Sequence, residues 1–452
     1  MIIGLDCAEP SLVLERWRSE LPTLSALMER GRYGRLRSVV PPITVPAWSC
    51  MMASRTPGDL GVYGFRNRAD HSYDNLVVAD GSAIHAPRLW DLATRYGKPS
   101  IVLGVPGTYP PRPLNGVLVS CFLTPSRESG FTYPSLLARE VEQVVGEYLF
   151  DCTNFRTDDK DDLLRQVYEM TDKRFRLAEH LLETKPWELF AMVEIGLDRM
   201  HHAFWKEGQR EILKYLRHLD SLVARLLVHA DDQTAVLVVS DHGAKRLEGG
   251  IRINEWLRRE GLLQTAREPD GVSALRDVGV DWSRTTAWGE GGYYSRIFLN
   301  VSGREPEGTV ASEDFERVRD ELAERLAAIP GPDGEPLATR VHKPEEVYEE
   351  VHGIAPDLLV YFDDLAWRAV GTIGGEDGVH TFENDTGPDD ANHAEDGLLI
   401  MAGPGIEPGQ AETTMMSLLD VAPTVLELLG LEPLPSMRGT SLLRGAELSR
   451  SR

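Results

Sequence analysis

An α/β fold, with a mostly parallel sheet carrying helices on both faces, is what this sequence predicts. Three observations carry that expectation. Short apolar runs recur at 2–5, 100–105, 116–121, 188–195, 236–239 and 398–402, and such runs suit strands buried on both faces. Stretches with helical spacing separate them, as strand–helix–strand units require. Three of the runs lead into acids, Asp6, Asp198 and Asp241, at the carboxyl ends of strands, where open α/β sheets bind their ligands.

Taken in order, residues 2–5 form the first strand and stop at Asp6. Residues 22–31 place Leu24, Leu27 and Met28 on a helix that Gly31 ends. A strand is expected over 35–40. Pro41, Pro42 and Pro46 then break regular structure, and a helix continues through 47–53 with Pro46 at its first position. Thr44 thereby falls beside a helix amino end, where exposed N–H groups and the dipole favour an anion. A plain capping role fits the same position. Strands at 100–105 and 116–121 precede a polar, mostly helical stretch over 134–185.

The strand at 188–195 runs into Asp198 and His202, four residues apart and so on one face of a helical turn. His201 points elsewhere, as a structural residue. The amphipathic segment 211–229 covers the sheet with Leu213, Leu216, Leu219, Leu222 and Leu226. The strand at 236–239 leads into Ser240, Asp241, His242 and Gly243. Residues 246–356 then change character: a helix over 254–263, acidic turns, a β-rich piece at 291–301 and a helix at 315–328. They read as an inserted cap between two parts of a core, 1–245 and 357–452. A strand at 356–362 returns the chain to that core. A polar loop over 371–396 carries His380 and His393, the last strand is 398–402, and a covering helix over 417–429 closes at Gly430.

Composition narrows the function. The chain has 452 residues, 42% hydrophobic and 26% charged, ordinary values for a globular protein of one large domain with an insertion or of two domains. Its 48 Lys+Arg against 71 Asp+Glu give a net charge of −23. That excess argues against nucleic-acid polymers and anionic membranes as partners. A phosphate site here must carry its own positive charge, most simply from metal ions. No apolar run is long enough to span a bilayer, and the opening residues read as a strand without a basic leader. Cys7, Cys50, Cys121 and Cys152 form no Cys-x-x-Cys pair, which fits a reducing cytoplasm.

Asp6, Thr44, Asp198, His202, Asp241, His242 and a late histidine form the candidate constellation. Buried carboxylates without partners are costly, and coordination removes that cost. Carboxylate oxygens with imidazole nitrogens suit zinc or manganese, and the number of ligands suits two ions. A binuclear site clamps the attacking and leaving oxygens of an in-line phosphoryl displacement. Thr44 is the candidate nucleophile, a weak one until a cation lowers its pKa.

The motifs Gly4-Leu5-Asp6, Pro41-Pro42-Ile43-Thr44-Val45-Pro46-Ala47-Trp48, Leu197-Asp198-Arg199-Met200-His201-His202, Ser240-Asp241-His242-Gly243 and Asn392-His393-Ala394-Glu395-Asp396-Gly397 resemble those of the alkaline phosphatase superfamily, in its type I phosphodiesterase/nucleotide pyrophosphatase branch. The segments Phe298 to Pro306 and Asp420 to Gly430 are similar too. The resemblance implies a three-layer α/β/α core with an inserted cap. It implies one divalent ion held by Asp198, His202 and His393, and a second held by Asp6, Asp241, His242 and Thr44. Zinc is the expected metal and manganese the alternative. Thr44 would take the phosphoryl group, and water would then release it.

His393 is preferred to His380 because it stands just before Gly397 and an apolar strand, as the family's last ligand does. The branch also places an asparagine after the nucleophile to hold a phosphoryl oxygen, and Asn67 is the nearest candidate here. Leu60-Gly61 stands where many relatives have His-Gly, and the sulfatase signature is missing around Thr44. The expected function is therefore two-metal hydrolysis of a small phosphodiester or nucleotide pyrophosphate. A phosphomonoesterase or phosphonate hydrolase on the same site is the alternative, and a metal-binding interaction protein the alternative of another class.

Overall fold

The computed structural model describes residues 1–375, 378–408, 410–412 and 415–443. The chain forms two compact units: one of Met1–Phe65, Ala79–Ala244 and Ala394–Arg452, the other of Arg66–Val78 and Lys245–His393.

The main elements of the first unit are β1 (Ile2–Leu5), α1 (Pro22–Arg30), β2 (Arg32–Arg37), α2 (Thr44–Ala53), β3 (Ser100–Leu103), β4 (Gly116–Val119), β5 (Thr132–Tyr133), α3 (Leu137–Val145), α4 (Lys160–Thr184), β6 (Leu189–Glu194), α5 (Gly196–Phe204), α6 (Gln209–Leu227), β7 (Val236–Val239), β8 (Asp396–Ala402) and α7 (Val421–Leu428). The strands make one sheet in the order β2-β8-β7-β1-β6-β3-β4-β5, with the short pieces Gln410–Ala411 and Met416–Ser417 beside β2. The run β7-β1-β6-β3-β4 is parallel throughout. β8 is antiparallel to both β2 and β7, and β5 to β4. The mostly parallel α/β sheet read from the apolar runs is therefore the sheet observed.

Apart from Glu194 at the end of β6, the central strands are apolar or small for a physical reason. β1, β6 and β7 are buried along their whole lengths, so both sides of each strand face side chains and not water. Ile2 lies opposite Ala191 and Leu237, and Leu5 opposite Glu194. This register brings the carboxyl ends of the three strands out along one edge. One close approach requires a glycine. A Cβ on Gly397 would stand 2.2 Å from the Ser240 carbonyl oxygen, so a larger residue would force β8 away from the Ser240–Asp241 turn, at a cost of about 1–3 kcal/mol.

Two local expectations shift. The strand expected at 35–40 spans Arg32–Arg37, because the chain must leave the ladder before Pro41 and Pro42, which donate no hydrogen bond. The helix expected to begin at Pro46 begins at Thr44, with Ile43 as the extended residue before it. Thr44 is therefore the first helical residue and not the cap.

The second unit has its own hydrophobic core. Ala287–Glu290, Ser295–Leu299, Leu358–Tyr361 and Arg340–His342 form a four-stranded antiparallel sheet, and Gly249–Arg252 lies between Trp367–Val370 and His380–Thr381 in a second sheet. The expected insertion 246–356 falls inside this unit, whose limits are wider. The strand at 358–361, expected to rejoin the core sheet, pairs with 295–297 and 340–342 instead. An apolar strand advertises burial, not the sheet it will join. The hairpin of Arg66–Arg68 and Leu76–Val78 also belongs here. Its buried Arg68 donates to Glu305 at 3.1 Å and lies over the rings of Trp288 and Phe298 at 5.1 and 5.0 Å, while Tyr73 stacks on Trp282. Among the described residues no helix is long and apolar enough to cross a membrane.

Candidate metal centre

Asp6, Asp198 and Asp241 come off the same edge of the first unit's sheet because β7, β1 and β6 are adjacent and parallel. Asp6 follows β1 directly and Asp241 follows β7 after Ser240, whereas Asp198 sits in the first turn of α5. One turn on, His202 shares its face, with Nε2 3.3 Å from Asp198 Oδ1. Thr44 enters from the amino end of α2. All six residues of this group, His242 included, are buried.

The geometry centres on His242. Its Nδ1–H donates to the Gly243 carbonyl at 3.1 Å, which leaves Nε2 as the ring's acceptor. That nitrogen faces Asp241 Oδ2 at 3.2 Å, Thr44 Oγ1 at 3.3 Å and Asp6 Oδ1 at 3.8 Å. The Thr44 hydroxyl has a proton to give. Asp6 Oδ1 and Asp241 Oδ2 receive none, although both are buried. Ligand atoms of Asp6, Asp241 and His242 all lie within 4.8 Å of one another. Buried carboxylate oxygens converging on an imidazole acceptor are unfavourable when ionised, and a divalent cation is the group that turns such an arrangement favourable. The donor set of carboxylates with imidazole fits zinc or manganese.

Electrostatics point the same way. Burial, and then the charge of Asp198, push the Asp6 carboxyl well above its ordinary range, against the pull of a hydrogen bond from Trp48. Burial, and then Asp6, push Asp241 up likewise. Burial pulls His242 down to about 4 and His201 to about 3, so both imidazoles are neutral. An ion entering here must displace the protons that the two acids retain. Its affinity should therefore fall as the solution is acidified, with net proton release on binding. Calorimetric titration in buffers of different ionisation enthalpy reads that release; an affinity indifferent to pH would contradict it.

Neighbouring residues lock these ligands in place. The Trp48 indole N–H donates to Asp6 Oδ2 at 2.7 Å. Trp48 stands four residues after Thr44, so one helical turn carries both. Ser240 Oγ accepts from the Ala8 amide at 2.8 Å and donates to the His242 carbonyl at 2.7 Å. Glu9 accepts from the Ala244 amide at 3.1 Å, and the Cys7 amide reaches Asp241 Oδ1 at 3.3 Å. The turns after β1 and β7 are thus tied together. Trp48 and Ser240 lie inside motifs that the sequence singles out, and Cys7 directly follows one, but nothing in the string of letters assigns them these tasks.

Two expected residues belong to the second unit. His393 is its last residue, one peptide bond before Ala394 of the first. It is buried, its amide bonds to the Asn392 side chain, and its ring stacks on Tyr293 at 4.2 Å. Asn67 lies on the hairpin strand Arg66–Arg68, opposite Val77. The structure brings Asp6, Thr44, Asp198, His202, Asp241 and His242 together within one unit and places these two in the other.

Across residues 1–389 the chain matches the family model described as type I phosphodiesterase/nucleotide pyrophosphatase. Among solved structures it is similar to human ectonucleotide pyrophosphatase/phosphodiesterase 5, with 13% identity and a TM-score of 0.57, covering 97% of this chain and 96% of that one. It is similar also to the murine protein of the same name, with 14% identity, a TM-score of 0.58, and 96% and 95% coverage. An inactive threonine-to-alanine form of that murine protein, in complex with AMP, matches with the same values. At such identities the likeness shows the fold, an α/β architecture shared over nearly the whole length. No curated protein matches the sequence.

Proposed function

We propose that this chain, which belongs to the type I phosphodiesterase/nucleotide pyrophosphatase family, hydrolyses a phosphodiester or nucleotide pyrophosphate bond of a small molecule through a covalent phosphothreonine on Thr44. One observation carries the reading. The buried Thr44 hydroxyl, in the first turn of α2, points at His242 Nε2 from 3.3 Å, beside two buried carboxylate oxygens that have no donor. The AMP bound to the murine neighbour supports a nucleotide-type substrate, and the net charge of −23 supports a small molecule over a polymer.

Asp198, His202 and His393 would hold one divalent ion, and Asp6, Asp241 and His242, with Thr44, the other. Zinc is the proposed metal and manganese the alternative. Bound there, the ions would neutralise charge on the phosphoryl oxygens and lower the pKa of the threonine hydroxyl. Thr44 Oγ1, its proton released to solvent, then attacks phosphorus in line. A bond forms between that oxygen and phosphorus, the bond to the leaving oxygen breaks, and its electron pair departs with the leaving group. Water hydrolyses the phosphothreonine in a second displacement. The amide groups at the amino end of α2 face the phosphoryl group and favour its charge. Asn67 is the proposed contact to a phosphoryl oxygen. Four buried, unpaired cysteines support a reducing, cytoplasmic setting.

Diesters are preferred over monoesters in this reading. A monoester brings an additional negative charge and needs extra cations, and no Lys or Arg lies in the ten residues after Thr44. The test is hydrolysis of bis(p-nitrophenyl) phosphate beside p-nitrophenyl phosphate, with metal-stripped protein and zinc or manganese restored. A diester rate well above the monoester rate is expected. A monoester preference would move the assignment to a phosphatase on the same site.

A further inference from the structure

The helix that carries Asp198 and His202 is gripped by the loop between α3 and α4. Asp151 in that loop accepts two parallel bonds from Arg199, Nε to Oδ1 at 2.9 Å and Nη2 to Oδ2 at 2.7 Å. The Asp151 carboxylate is itself anchored by the Cys152 amide at 2.7 Å. The third arm of the guanidinium, Nη1, donates to Asp198 Oδ2. Phe155, in the same loop, lies 4.2 Å from the Arg199 guanidinium and 5.8 Å from the His202 ring. The loop thus touches both α5 residues of the candidate half-site: Asp198 through Arg199, and His202 through Phe155.

We propose that Asp151 and Arg199 are positioning residues for the ion held by Asp198 and His202. The inference rests on the two-ion reading above. Arg199 occupies Oδ2 of Asp198 and so leaves Oδ1, on the His202 side at 3.3 Å, as the oxygen presented for coordination. A lone arginine here would be a poor choice, because its charge repels a cation. Asp151 answers both needs: it balances the charge and, by bidentate contact, fixes the plane of the guanidinium. Arg199 is 11% exposed and Asp198 3%, so water does little to screen the contact between them. Carboxylates that ligate metals depend on such outer partners for their orientation, and losing one costs about 10–100-fold in metal affinity.

The test uses the full chain and zinc alone, with affinity and stoichiometry read by chelator competition and the metal-site geometry by cobalt absorption. Wild type should bind two ions. Asp151→Asn, which keeps the shape but loses the charge, and Arg199→Lys, which keeps the charge but loses the fork, should each weaken one ion about 10–100-fold and leave the other unchanged. The weakened ion should lose its cobalt spectrum first. Two ions bound with wild-type affinity in both variants would overturn the proposal. So would equal weakening of both ions with a lower melting temperature of the metal-free protein, since that is a structural role. Wild type that binds no ion would overturn the two-ion reading itself.

Discussion

Replacing Thr44 with alanine should abolish turnover while both ions stay bound. The change deletes one hydroxyl and one methyl group at a position 6% exposed, and the start of α2 does not depend on it, because Ile43 precedes the helix without any side-chain cap. The fold should therefore survive. The carboxylates and imidazoles remain, so metal content should match wild type. What disappears is the atom that bonds to phosphorus, and the loss should be about 10³-fold or more in kcat/KM. Acid-quenched wild type should retain a phosphoryl group on the protein, and the variant none. Unchanged turnover in the variant would remove Thr44 as the nucleophile, whatever the metal content.

Asp241→Asn should move activity and metal-free stability in opposite directions. The carboxylate is fully buried, with burial and Asp6 both opposing its charge. An asparagine keeps the oxygen that accepts from the Cys7 amide at 3.3 Å. It also places an N–H₂ where Oδ2 faces His242 Nε2 at 3.2 Å, a donor present at every pH and with no proton to be taken up. The metal-free variant should be more stable than metal-free wild type, by about 1–3 kcal/mol. A carboxyl whose pKa is raised by folding contributes stability below its ordinary pKa and loses it as pH rises through the raised value. The gain should therefore be largest at neutral and alkaline pH and vanish in acid. With zinc added the order should reverse, since wild type gains binding energy that the variant lacks. Turnover should fall about 10³-fold, the equivalent of several kcal/mol of charge stabilisation. Paired thermal melts with and without zinc measure both signs at once; a variant less stable in both states would refute the argument.

Much of this was written into local patterns. Apolar runs with acids at their ends determined the α/β fold and the sites of Asp6 and Asp241, because a strand buried on both faces needs such residues and a parallel sheet collects its strand ends on one edge. Four-residue spacing determined that Asp198 and His202 share a helical face. Other features answer to distance in space and not to sequence. The strand at 358–361 looks like a core strand but is held by partners at 295–297 and 340–342, and only pairing decides which sheet it joins. Thr44 fits a cap or a nucleophile equally well until its hydroxyl is seen 3.3 Å from a histidine 198 positions away. Asp151 carries no signal at all, since its task is set by an arginine 48 residues further on. Short-range periodicity is encoded residue by residue, whereas long-range partners exist only once the strands have chosen their order.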